Sequence, residues 1–278
     1  MKPYKWFAGR ETMPGRIVGE LLAFLLKEAG EAFRQHARNV CIGLRYTGVQ
    51  LENGHLGLCA TLTVEQVLSR EGPLDQAGRL AGNLLFDLVK LAGSWRLDEA
   101  VVGIAAMNAA SQLLFERRGE EAYRISYGNL LRELKVTSDD IVVMVGNLRP
   151  MVEPLREKAS MLYVLERSPL HRGSEPYHLP DTACEEYLPR ATLTIITAST
   201  LANGTLDRFI ELAEKSREIA VVGPSSPLTP DILFNHGVTV VGGMHVRRPE
   251  EALRVIMEGG GTRELKAFCD RVNLRPKR

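Results

Sequence analysis

The sequence is short of the features that reveal a function quickly. Its 278 residues hold four cysteines, Cys41, Cys59, Cys184 and Cys269, too few and too scattered for a disulfide framework, and no CxxC occurs. A reducing compartment follows from that reading, and with it a cytoplasmic protein. Charge of one sign is lacking too: 35 Lys and Arg stand against 34 Asp and Glu, a formal net charge of +1. Non-specific phosphate binding needs an excess of basic groups, so nucleic acid is not an expected partner. Nor is there a long apolar run. The stretch Ile17 to Leu26 is cut by Glu20 and followed by Lys27 and Glu28, too short for a bilayer and without a small-residue cleavage site after it, so no membrane role is expected. The GxSxG elbow, the HExxH helix, the P-loop and the GxGxxG dinucleotide fingerprint are all missing.

What is present is a globular composition, 45% apolar and 25% charged, in a chain long enough for two domains. Apolar residues at helical spacing from Arg16 to about Ala37 predict a long amphipathic helix. Alternation over Val40 to Tyr46, and again over Leu58 to Val64 beyond Glu52, Asn53 and Gly54, predicts a strand pair whose loop has odd length or a bulge. Two helices are predicted next, Gln76 to Leu91 and about Leu97 to Arg117. The second carries Gly103, Ala105, Ala106, Ala109 and Ala110, so a neighbouring element can approach its backbone closely. Asn108 stands out within it. A buried amide must find partners, so Asn108 either caps a neighbouring loop or points into a site. Residues 118–139 read as a connector with one short helix about Asn129 to Leu134.

After the connector the texture changes. Ile141 to Val145, Met161 to Leu165, Leu193 to Thr197, Ile219 to Val222 and Val238 to Val241 are short apolar runs rich in Val and Ile, most of them separated by helical stretches. Such runs mark strands buried on both faces of a parallel sheet, so the fold class is α/β with a doubly wound back half. Ligands of such sheets bind outside the carboxyl ends of the strands, where strand order reverses. The five segments that follow the strands, GNLRP, ERSP, TASTLANGT, GPSSP and GGMH, are rich in Gly, Ser, Thr and Asn and should lie along one edge.

Among them TASTLANGT carries most: Thr197, Ser199, Thr200, Asn203 and Gly204 precede a helix N-terminus, where free N–H groups and the helix dipole favour an anion. Thr205 and Thr229 also read as plain helix N-caps. Gly146 is followed by Asn147, Leu148, Arg149 and Pro150, without the further glycines that admit a pyrophosphate, which disfavours a standard NAD site. Glu166 does stand where an acidic residue would meet a ribose hydroxyl, which keeps an adenosine or another polar small ligand open. Arg149 either offers a cation to a carboxylate or phosphate, or pairs with Glu153 one turn on. His245 acts as acid, base or ligand, or caps its turn. Between the second and third strands, His171, Glu175, His178, Asp181, Cys184, Glu185 and Glu186 supply donors suited to zinc, nickel or copper at spacings that match no closed structural site. His171, His178 and Cys184 are the metal candidates.

TASTLANGT, VVGPSSPLTPDILFNHGVTVVGG and the closing EGGGTRELKAF closely resemble a prokaryotic family known as the putative heavy-metal chelation family. Its pattern of STLxNGT and then VGPSSPLxPxLFxxGVxxxGG is carried by Ser199 to Thr205 and by Val222 to Gly243, and RYTGVQL (Arg45 to Leu51) and GIAAMNA (Gly103 to Ala109) look like its amino-terminal domain. Together these cover most of the chain. The resemblance implies a front domain like the amino-terminal domain of enolase, residues 1–120, packed on a Rossmann-like domain, residues 121–278, with a polar cleft between them. Asn108 is then the front domain's contribution to a ligand site built from Gly146, Arg149, Glu166, Thr197, Ser199, Thr200, Asn203, Thr205, Gly223, Pro224, Ser225, Ser226, Gly243 and His245. No established reaction comes with the resemblance.

Hydroxyls and amides are poor ligands for soft metals and suit a carboxylated or phosphorylated organic molecule better, a metal chelator rather than a bare ion. The expectation is therefore a protein that binds a small anionic or metal-chelating ligand in the interdomain cleft, with a role in heavy-metal chelation. Two alternatives stand beside it. One is an enzyme using a nucleotide-type cofactor held by Glu166, with His245 or Arg149 doing acid or electrostatic work on a small polar substrate. The other is a metal-storage or delivery protein that loads a transition metal on the His171 to Cys184 loop.

Overall fold

The computed structural model describes residues 15–62, 74 and 76–277. The first predicted helix is α1 (Arg16–Glu28), which buries Ile17, Val18, Leu21, Leu22 and Leu25 along one stripe. It stops short of the predicted end because the chain turns at Gly30 and, through a 3-10 turn at Ala32–Arg34, enters β1 (Ala37–Ile42). The alternation read as one strand from Val40 to Tyr46 belongs to two. The chain reverses after β1 into β2 (Tyr46–Leu51), which pairs antiparallel with both β1 and β3 (Leu56–Ala60). A Cβ on Gly43 in that reversal would lie 2.5 Å from the Ile256 carbonyl oxygen, so the turn requires glycine. Every residue of β2 is buried, and a strand covered on both faces has no polar side to announce its limits. Asn53 and Gly54 do form a turn, between β2 and β3, with Gln50 paired to Leu56 on either side of it. Val64 lies outside the described residues.

Of the helix predicted over Gln76 to Leu91, only α2 (Leu85–Leu88) and a 3-10 turn at Val89–Gly93 form. Gly78 and Gly82 adopt φ of 80° and 85°, a left-handed conformation through which a right-handed helix does not continue. The next helix, α3 (Leu97–Ala122), forms as predicted and runs one turn further.

Eight strands make the second sheet: β4 (Tyr123–Tyr127), β5 (Ile141–Val145), β6 (Met161–Glu166), β7 (His178–Pro180), β8 (Leu193–Thr197), β9 (Glu218–Val222), β10 (Val240–Val246) and β11 (Cys269–Pro276). They lie in the order β4-β11-β10-β9-β8-β5-β6-β7, parallel from β10 to β7, with β11 and β4 antiparallel at one edge. The fold is mixed α/β with a parallel-dominated sheet. Strand order reverses between β5 and β8: the chain runs outward from β5 through β6 to β7, then returns to β8 and runs outward the other way. Val142 and Met144 of β5 pack with Met151, Val152 and Leu155 of α4 (Arg149–Lys158), while Val143 and Val145 belong to the core shared with α1, α3 and α6 (Leu206–Leu212). Between the sheets, Leu253 and Ile256 of α8 (Pro249–Met257) pack against Tyr46, Leu56 and Leu58 on one side and Met244 and Val246 on the other. Among the described residues no helix is long and apolar enough to cross a membrane.

The start of β5 is pinned electrostatically. Asp140, 3% exposed, accepts bonds from Thr137, Thr192 and Arg217, the last at 2.6 Å. Burial alone would raise its carboxyl, but the Arg217, Thr192 and Thr137 bonds win and bring it down to about 2. A carboxyl depressed in the folded state stabilises it above the unfolded pKa and ceases to do so as pH falls through the folded one. Asp140→Asn should therefore cost about 2 kcal/mol at pH 7 in urea unfolding and much less at pH 2, where the wild type has lost the same contribution.

Candidate functional site

A cleft of about 430 Å³ opens outside the carboxyl ends of β5, β6 and β8, at the reversal of strand order. Gly146, Asn147, Leu148 and Arg149 line it from the turn after β5; Glu166, Arg167, Ser168, Leu170 and His171 from the turn after β6; Thr197, Ser199, Thr200, Asn203 and Thr205 from the turn after β8. The small sheet adds Tyr46, Ala60, Thr61 and Leu62, and α3 adds Leu97. Three of the five predicted corners thus share one mouth, and the front half of the chain closes its far side.

The Gly146 turn packs closely on the turn after β8. Gly146 has φ of 87°, and a Cβ there would lie 2.6 Å from Thr197 Cγ2, so the two turns already touch. The Glu166 carboxylate accepts the Asn147 N–H at 2.8 Å through one oxygen and the Ser168 N–H at 2.9 Å through the other. An anion from the chain itself therefore holds the amide nearest the turn. Asn147 Nδ2 donates to the His171 carbonyl at 2.7 Å, whereas its buried Oδ1 takes no bond among the described residues. Arg149 does not pair with Glu153, which meets Arg156 instead. The Arg149 side chain is exposed and takes part in no hydrogen bond or ion pair among the described residues.

The polar loop after β8 is ordered by its own side chains. Thr200 Oγ1 donates to the Thr197 carbonyl at 2.7 Å, and Thr197 and Ser199 hydroxyls meet at 3.1 Å. Asn203 Oδ1 accepts both the N–H and the hydroxyl of Thr205, so Thr205 does not cap α6 with its side chain. Ser199 and Thr197 face the cleft with one bond between them and spare hydrogen-bonding capacity.

The other predicted corners are occupied elsewhere. Gly223, Pro224, Ser225, Ser226, Gly243 and His245 do not line this cleft, and neither does Asn108. They belong instead to a polar stripe by which α3 holds the two sheets together. Asn108 Nδ2 donates to the Leu58 and Ser225 carbonyls, each at 2.8 Å, and Ser225 Oγ accepts the Ala60 N–H at 2.8 Å. Ser226 Oγ donates to the Gly242 carbonyl, Gly223 N–H donates to the same carbonyl, and a Cβ on Gly243 would strike Leu228. One turn along α3, Ser111 meets Thr229, which therefore caps no helix, and Gln112 donates to the Met244 carbonyl and accepts the Val246 N–H. Glu116 ends the stripe between His245 at 2.9 Å and His55 at 3.0 Å. Burial would raise its carboxyl, but the two histidines outweigh that and hold it below the ordinary range. Ser111, Gln112 and Glu116 stand three, four and eight residues beyond Asn108, a one-face helical spacing of polar groups in an apolar run that the sequence does display.

Among the described residues no three His, Cys, Asp or Glu side chains are grouped to hold a metal ion, so His171, His178 and Cys184 do not form the predicted site. His178 sits in β7 with both ring nitrogens buried and unpartnered, Cys184 begins α5 (Cys184–Tyr187), and His171 stands on the cleft rim. Burial pushes the Cys59 and Cys269 thiols up to about 12, and raises Cys41 and Cys184.

Comparison with known proteins places these features in context. A family model described as "Putative heavy-metal chelation" matches residues 129–275, and a second of the same description matches residues 26–111. An uncharacterized protein of Methanocaldococcus jannaschii is 29% identical over 237 residues, 82% of this chain and 85% of the relative. A crystal structure of a protein of unknown function from the DUF364 family of Pyrococcus horikoshii superposes with a TM-score of 0.77 at 25% identity, covering 95% of this chain and all of that one. A DUF364 family structure from Desulfitobacterium hafniense gives 0.74 at 22% identity over 91% and 99% of the two chains, a likeness of fold.

Proposed function

The chain belongs to the family described as putative heavy-metal chelation, and on that premise we propose that it binds a small anionic, metal-chelating organic molecule in the cleft at the β5/β8 reversal. In this reading the front unit is residues 1–120, enolase amino-terminal-like, and the back unit is residues 121–278, Rossmann-like. One observation carries it: Arg149 is a cation without an internal partner among the described residues, on the wall of the cleft that Thr197 and Ser199 also line with spare hydroxyl capacity. A charge left unpaired at a recognition site is what a complementary anion binds to. Among the described residues no three-residue donor group is present, which favours a chelator over an ion held by those residues alone. The nucleotide-cofactor reading has less support, because Gly146 is followed by Asn147, Leu148, Arg149 and Pro150, without the further glycines that admit a pyrophosphate.

Calorimetry with citrate, nickel–citrate, nickel ion and AMP tests the reading. A carboxylate or its nickel complex is expected to bind with one site per chain, and Arg149→Ala to weaken it by about tenfold or more, the range of a charge-assisted hydrogen bond. Stoichiometric nickel in the absence of any chelator, or AMP as the tightest of the four, would count against it.

A further inference from the structure

The charges that line the cleft do more than attract an anion. Among the described residues, four formally charged side chains other than histidine contribute to its wall: Arg149, Glu166, Arg167 and Asp181. Arg167 and Asp181 satisfy each other, Nε to Oδ2 at 2.7 Å. What remains is one cation, Arg149, and one carboxylate, Glu166, on the turns after neighbouring strands. Glu166 accepts one backbone N–H on each oxygen, and an ionised carboxylate has about four acceptor sites, so it keeps capacity for a further donor. Next to it, Asn147 Oδ1 is a buried acceptor that meets no donor among the described residues. A purely anionic ligand satisfies Arg149 and leaves the Glu166 carboxylate facing its own charge.

We propose that the cleft selects an aminocarboxylate, a molecule bearing an ammonium for the Glu166 end and a carboxylate for Arg149. The inference rests on the ligand-binding reading of this cleft and narrows its chemical class. Aminocarboxylates chelate metals through adjacent nitrogen and oxygen donors, which suits the same reading. The walls formed by Leu62, Leu97, Leu148 and Leu170 accept an apolar body between the two charges, and 430 Å³ is within the range of small-molecule sites.

Iminodiacetate and diglycolate share one skeleton and differ only in a central ammonium against an ether oxygen; diethylamine keeps the ammonium and lacks both carboxylates. Calorimetry of the full chain with these three, in metal-free buffer at pH 7, is expected to rank iminodiacetate at least about tenfold tighter than either of the others. Glu166→Gln should erase its advantage over diglycolate, and Arg149→Ala should weaken both acids alike. Equal affinity for iminodiacetate and diglycolate, both lost in Arg149→Ala, overturns the aminocarboxylate while sparing the anion site. Failure of both acids to bind, or binding indifferent to Arg149, overturns the site itself. Should Glu166→Gln unfold, the wild-type ratio of the two acids still decides.

Discussion

Replacing Gly57 with alanine is expected to cost more than about 4 kcal/mol and to leave little folded protein at room temperature, as read by urea unfolding or by recovery of soluble chain. The reason is steric and backbone-borne. A Cβ on Gly57 would lie 2.0 Å from the Ala105 carbonyl oxygen and 2.2 Å from the Ala109 amide nitrogen, so β3 and α3 pack backbone to backbone there. No rotamer can give way, and only separation of strand from helix relieves the clash. That separation would also break the Asn108 bond to Leu58 in the adjoining residue. Overpacking of a side-chain core usually costs about 1 to 3 kcal/mol because side chains shift, and here there are none to shift.

The second large effect belongs to Asn108 itself. Asn108→Asp keeps the shape and replaces a double donor with an oxygen aimed at two carbonyl oxygens, in a site 3% exposed. We expect a loss of about 3 to 5 kcal/mol at pH 8, the cost of an uncompensated buried charge. Burial raises the pKa of such a carboxyl, so the folded state holds the proton to higher pH than the unfolded one. Stability of the variant relative to wild type should then recover as pH falls toward 4, where the neutral acid donates one bond. Asn108→Ala should lower the melting temperature yet leave iminodiacetate affinity intact, since the amide joins α3 to the loop after β9 and does not line the cleft.

How far the sequence could be read depends on what each residue answers to. β5, β6, β8 and β9 were legible because strands buried on both faces must be apolar throughout, as Val142 to Val145 are, whereas β10 runs on to Val246 through the Gly242 and Gly243 that read as the start of a loop. β4 and β11 were not, because Arg124, Ser126, Asp270, Arg271 and Asn273 interrupt edge or near-edge strands that one face leaves partly in water. The small residues of α3 did announce close packing, and Gly57 is its partner. Asn108 was recognisable as a buried amide, but its acceptors stand 50 and 117 residues away, a pairing that only the fold creates.

The candidate site divides in the same manner. The rule that ligands gather beyond the carboxyl ends of parallel strands located the turns after β5, β6 and β8, and the structure brings these together. The turn after β9 obeys the same rule of composition yet serves packing, and GGMH is no turn at all but the body of β10, paired with β11; α3 lies across both and takes up Ser225, Thr229 and His245. His171, His178 and Cys184 are near in sequence, but β7 and α5 carry the latter two away from the rim where His171 stands.

The most direct test is a crystal soaked with iminodiacetate and refined without ligand. The account requires difference density bounded by Arg149, Glu166 and Ser199, one carboxylate against the Arg149 guanidinium and the nitrogen toward Glu166. Density on the Ser225 and His245 side of α3, or a filled cleft with Arg149 turned away from it, would contradict the account.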